Sequence, residues 1–155
     1  MNLIHHRLLG VLALTSLTAA LACGGSNATG PGGDQSAAQR NALTQAESQW
    51  TAAGIHDYNY DFVRNQFGQH DSVQVQVRTD QVTLSKSYLT GQATAIGTAI
   101  PDLFSAIDDA ISAGLTVGVT YDPQFGYPTH GSINPTVSTP AGGTSWTVVN
   151  FTRVP

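Results

Sequence analysis

The chain is expected to fold as an α+β domain: an antiparallel sheet of about six strands with two helices packed on one face, in the order α-β-β-β-α-β-β-β. Three observations predict this. Two stretches place apolar residues three and four apart, as helices with one buried stripe do: Leu43, Ala46, Trp50 and Ala53, then Leu103, Phe104, Ile107, Ala110 and Ile111. Other stretches alternate with period two, most regularly Val73, Val75 and Val77 between Gln74, Gln76 and Arg78. Finally, Tyr121, Asp122, Pro123, Gly126, Tyr127 and Pro128 lie between two alternating runs and form a hairpin signature. Asp122 is suited to accept bonds from amides ahead of it, Pro123 pre-sets a turn dihedral, and Gly126 tolerates positive φ. Tyr121 and Tyr127 would anchor the two sides of the bend.

Before this domain stands a leader. Asn2 to Arg7 is short and polar, and Leu8 to Ala22 is apolar or small throughout. That length suits a signal-peptide core and is short for a bilayer span. It ends in Ala20-Leu21-Ala22-Cys23-Gly24-Gly25-Ser26, small residues before a cysteine and a Gly/Ser/Asn run after it. This is the pattern of a bacterial lipoprotein signal, with Ala20 where leucine is usual. Residues 1–22 are therefore read as a signal peptide and Cys23 as the site of lipid attachment, palmitate included. An ordinary secretory signal cut near Ala22 would instead leave Cys23 as a stray thiol. Cys23 is the only cysteine, so no disulfide forms within the chain. Several acyl chains on it would give a stable membrane anchor without a span. Gly24, in place of an inner-membrane retention aspartate, favours the outer membrane where two membranes exist. Residues 23–35, rich in Gly, Ser, Asn, Thr and Pro, read as a flexible tether, and 36–155 as one domain.

Within the domain, Ser36 to Ala53 is the first helix, capped by Ser36 or Asp34 and closed by Gly54. Trp50 is placed to fill the gap between this helix and the sheet. Tyr58, Tyr60 and Phe62 then alternate with polar residues along a strand, and are expected to be core. Turns at Gly68-Gln69-His70-Asp71 and Thr79-Asp80-Gln81 join it to Val73–Val77 and Val82–Ser85, a three-stranded meander. Lys86 to Ala99 has no clear period and reads as a long mobile loop. Pro101 suits the first turn of the second helix, Asp102 its positive end, and Gly114 its close. Leu115 to Tyr121, Tyr127 to Asn134 and Ser145 to Thr152 are the last three strands, with a Pro/Gly loop from Pro135 to Thr144. The repeated endings Gly54-Ile55 and Gly114-Leu115 suggest a duplicated unit.

Trp50, Gly54-Ile55, Tyr58-x-Tyr60, Leu103-Phe104 and Val119-x-Tyr121-Asp122-Pro123-x-x-Gly126-Tyr127-Pro128-Thr129 together resemble an uncharacterised family of bacterial exported proteins and lipoproteins, known only as a domain of unknown function. The resemblance runs from Trp50 to Phe151. It implies a fold and an exported location, and no catalytic residues. Many members have Cys-x-Cys in the strand after Tyr-x-Tyr; here the stretch is Arg64-Asn65-Gln66-Phe67, so no disulfide or metal role carries over. Asp80-Gln81 replaces a common Asp-Gly turn.

Chemistry is sparse. The net charge is −4, and Lys86 is the only lysine, so there is no basic patch for nucleic acid. His56-Asp57 and His70-Asp71 would lie at opposite ends of their hairpin, and His130 alone on a strand, so no metal and no cofactor is assigned. Asp102, Asp108 and Asp109 spread over a solvated helix face without an EF-hand pattern. No Gly-x-Ser-x-Gly, His-Glu-x-x-His or phosphate loop occurs, so no catalytic residue is assigned. The expected function is a lipid-anchored cell-envelope module, non-catalytic, meeting an unknown envelope protein at the membrane surface. The alternative is a small-ligand binder using the exposed sheet face or the Lys86–Ala99 loop; a third is a hydrolase with a dispersed site.

Overall fold

The computed structural model describes residues 31–134 and 143–155, with side chains from residue 35 onward. Residues 1–30, with the expected leader and Cys23, and residues 135–142 lie outside the described residues. The elements are α1 (Pro31–Ala53), β1 (Tyr58–Gln66), β2 (Gln69–Arg78), β3 (Gln81–Ser87), α2 (Ile100–Ser112), β4 (Thr116–Tyr121), β5 (Pro128–Asn134) and β6 (Thr144–Arg153). They form one six-stranded antiparallel sheet in the order β3-β2-β1-β6-β5-β4. The α-β-β-β-α-β-β-β order read from the sequence is the observed one.

Boundaries shift where local chemistry differs from the period-based expectation. α1 starts at Pro31, ahead of the expected Ser36, so the helix takes in residues 31–35; proline is favoured at a first helical position. The first hairpin turns at Phe67-Gly68, with φ of 51° and 77° and Gln66 paired to Gln69. His70 and Asp71 therefore belong to β2, opposite Asn65 and Arg64. The second hairpin turns at Thr79-Asp80, φ 51° and 61°, and Gln81 already pairs with Arg78. Gln81 thus needs no glycine-like backbone. Lys86 to Ala99 is not a free loop. β3 continues to Ser87, Lys86 bridges to Ala93, and the Thr94 and Ser87 amides bond the Ser85 and Gln92 carbonyls, each at 2.9 Å. Nor does the sheet have the symmetry of a duplicated unit. The strand after α1 is central and the strand after α2 is at the edge.

The core lies between the helices and one face of the sheet. Tyr58, Tyr60, Phe62, Val73, Val75, Val77, Val117, Trp146 and Val148 are buried there against Leu43, Ala46 and Trp50 of α1 and six residues of α2. α2 ends in a Schellman motif: Gly114, at φ 70°, donates to the Ile111 carbonyl and Leu115 to that of Ala110. β6 presents a parity problem, because Trp146 and Val148 are even-numbered while Phe151 is odd. A bulge resolves it. Asn59 pairs with Thr152 and Asp61 with Val149, so Asn150 and Phe151 together face Tyr60. Asn150, at φ 54°, absorbs the extra residue and turns Phe151 inward.

Candidate functional site

The hairpin between β4 and β5 braces the helix layer. Asp122 Oδ1 accepts the Gln124 amide at 3.0 Å and the Phe125 amide at 2.7 Å. Its backbone bonds Tyr127 and Gly126, each at 2.9 Å. Tyr121 stacks with Phe104 of α2 at 6.4 Å, and Tyr127 with Phe151 at 4.3 Å. Gly126 has φ 81°, and a Cβ there would run into the Ala46 carbonyl of α1. The bend therefore seats against α1 only as glycine. The Asp122 group and its flanking tyrosines line the seam between hairpin and helices, and they form a structural unit.

Two phenols fasten α2. The Tyr58 hydroxyl accepts the Ile100 amide at 2.8 Å, and the Tyr60 hydroxyl donates to the Thr98 carbonyl. Burial raises the pKa of both well above the ordinary phenol value of 10.0, and burial likewise pushes Tyr121 up to about 12. These groups hold their protons longer folded than unfolded, so their contribution to stability is complete below pH 10 and declines above it. The urea midpoint is expected to change little from about pH 8 to 10 and to fall steeply beyond, with tyrosinate absorbance rising together with unfolding. Tyrosinate appearing while the fold stays intact would contradict this burial.

Beside that attachment, the C-terminal end of α1 and the N-terminal end of α2 leave a cleft of about 460 Å³ against the β2–β3 turn. Trp50, Ile55 and Phe104 supply its apolar surface, and Glu47, His56, Asp80 and Ser105 its polar one. His56 Nδ1 lies 2.6 Å from Asp80 Oδ2. The turn that presents Asp80 is unusual, because Thr79 is β-branched at positive φ. It is held from the segment before β1: the Thr79 amide donates to Asp57 Oδ1 at 2.6 Å and the Asp80 amide to the His56 carbonyl at 3.1 Å. The Ser105 hydroxyl donates to the Pro101 carbonyl at 3.1 Å, not to His56. A further gap, of about 40 Å³, lies in the core beside Gln39, Ile107 and Tyr121.

Among the described residues, no helix lies on the other face of the sheet. At its centre Asp61 accepts the Tyr88 hydroxyl and the Asn150 amide, each at 2.6 Å. The bulge that turns Phe151 inward is what brings Asn150 there. Val63 and Val149 are exposed beside this node, as are Tyr88 and Leu89 from the segment after β3.

The structure places the other sequence candidates apart. His56 and His70 sit at opposite ends of the β1–β2 pair, and His130 Nδ1 meets Thr147 Oγ1 at 3.2 Å on the open face. Among the described residues no three His, Cys, Asp or Glu side chains converge as metal ligands. Asp108 pairs with Arg40 at 2.9 Å on an exposed surface. Sequence reasoning missed the His56–Asp80 pairing and the Asp61 node. Both depend on register, although the parity break at Val148-Val149 was a visible signal for the second.

Fold and surfaces together define a two-layer α+β domain with one covered and one open sheet face. The chain belongs to the family of unknown function DUF6174, whose pattern matches residues 42–153. No curated protein and no solved structure matches it.

Proposed function

We propose that the protein is a non-catalytic interaction module of the bacterial cell envelope, held to a membrane, the outer one where two exist, by lipid on Cys23. Its open sheet face would meet an envelope protein. The single observation that carries the partner-binding reading is that face. In the described chain no helix covers it, and it shows Val63, Val149, Tyr88 and Leu89 around the fixed Asp61 node. Exposed apolar side chains set around a positioned polar group suit recognition of another protein. The anchor reading is supported by the Leu8–Ala22 leader ending at Cys23. The described helices include none long and apolar enough to cross a membrane.

Two measurements test it. Cys23→Ser is expected to move the protein from the membrane to the soluble fraction almost completely, since acyl chains contribute about 0.8 kcal/mol per buried methylene. Unchanged fractionation would remove the anchor. Crosslinking in native membranes should capture a protein that the paired Val63→Thr and Leu89→Glu variant loses while keeping its thermal midpoint, since Leu89 is 90% exposed; equal capture by that variant would clear the open face of the role. A second reading, binding of a small ligand, is favoured by the cleft beside His56, where an apolar floor meets unpaired carboxylate oxygen.

A further inference from the structure

The cleft between the ends of α1 and α2 differs from the open sheet face in its chemistry, and that chemistry specifies an occupant. Its volume of about 460 Å³ is within the range of small-molecule sites. Trp50, Ile55 and Phe104 give it an apolar surface. No lysine or arginine lines it. Glu47, half-buried on α1, makes no hydrogen bond or ion pair with any described residue, so its carboxylate is available in a cleft that Trp50 and Phe104 also line. Asp80 uses Oδ2 for His56 and leaves Oδ1 free. The C-terminal end of α1 adds its carbonyls on the same side, the negative pole of a helix.

Features that would favour an anion are already spent. The first amide of α2, at Ile100, is taken by Tyr58, the next residue is Pro101, and the Asp102 and Leu103 amides bond the Ala99 carbonyl. The arginines are committed elsewhere: Arg78 to Tyr58 O and Asn59, Arg40 to Asp108, Arg64 to Asp71, and Arg153 over the Phe125 ring. A bare metal ion would gain nothing from the aromatic surface.

We infer that this cleft binds an organic cation, an ammonium group carried on an apolar body, with the cation between Glu47 and Asp80 and the body against Trp50 and Phe104. Carboxylates supply charge-assisted bonds to the ammonium, and the part of the aromatic surface that lines the cleft receives the apolar body. A free amine and a lysine side chain flanked by an apolar residue have this chemistry in common. The inference deepens the small-ligand reading of the cleft and is independent of the anchor and the open face.

The test titrates the full chain with phenethylammonium, with its neutral isostere 2-phenylethanol, and with an acetylated Phe-Lys amide, following tryptophan fluorescence and the amide resonances of Gly54, Ile55 and Ser105. Saturable binding of phenethylammonium or of the dipeptide is expected, weakening with added salt. The one that binds more tightly identifies a free amine or a protein side chain as the source. The neutral isostere, and each of Glu47→Gln and Asp80→Asn, should bind or retain affinity about tenfold more weakly, the scale of one charged hydrogen bond. Both substitutions keep the fold, because Gln suits a helix and Asn tolerates the positive φ at residue 80. If 2-phenylethanol binds as tightly as the cation, the charge inference falls and the cleft reading stands. If nothing shifts those resonances, both fall. If binding survives in the Glu47→Gln, Asp80→Asn double variant, the carboxylates have no part in it.

Discussion

Trp50→Ala is expected to lower stability by about 3–5 kcal/mol, the range for deleting a large buried aromatic side chain. Trp50 is 7% exposed and meets Tyr58, Tyr127 and Phe151 edge-on, at 5.3, 6.4 and 5.9 Å. One ring thus joins α1 to the central strand, to the β4–β5 hairpin and to the bulged end of β6. Alanine leaves a hole bounded by three elements, and their own pairing in the sheet limits collapse into it. The expected drop in thermal midpoint is roughly 10–20 °C for a domain of this size. Trp50→Phe, which keeps a ring in place, should recover a large part of that. A loss below about 1 kcal/mol for the alanine variant would mean that α1 is not held to the sheet by this residue.

Gly131→Ala should be strongly damaging for the addition of one methyl group, at about 1–3 kcal/mol. Gly131 lies opposite Trp146 in the β5–β6 register, and the indole of Trp146 lies over it. An added Cβ would fall within that ring, on Cζ2, Cε2 and Cη2. The backbone at Gly131 is ordinary, so the requirement is for space and not for a special dihedral. Denaturant unfolding of the single variant, of Trp146→Leu and of the pair separates the two explanations. With the indole gone, the alanine should cost little, giving a coupling of about 1–2 kcal/mol. Equal cost in both backgrounds would place the damage in the strand itself.

How far the sequence was legible follows from what each element depends on. The helices and the β1–β2–β3 meander were readable because their burial repeats are local: Leu43, Ala46 and Trp50 on one helical stripe, Val73, Val75 and Val77 on one strand face. The Tyr121–Pro128 hairpin was readable because Asp122 and Gly126 have roles set within a few residues. The turns at Phe67-Gly68 and Thr79-Asp80 were misplaced by one or two residues for a physical reason. Phe67 and Thr79 are poor choices at positive φ, and the chain is held in that conformation by pairing on either side. The segment after β3 looked free because the bonds that fold it back come from backbone groups. Gly97 in that segment marks an approach so close that a Cβ would sit 2.6 Å from the Ser85 hydroxyl. The cleft was the least legible part. Glu47, His56, Asp80 and Ser105 are distant in sequence and meet only once β1 and β2 are in register and α2 hangs from Tyr58.

Each flank of the sheet is covered over part of its length. On one side the 92–94 stretch lies along the second half of β3, through the bridge from Lys86 to Ala93. On the other, the Gln39 side chain of α1 caps the Val117 carbonyl of β4. Strand-by-strand growth into fibres or swapped oligomers is therefore hindered at these two places. At those positions the backbone ladder is closed to an added strand.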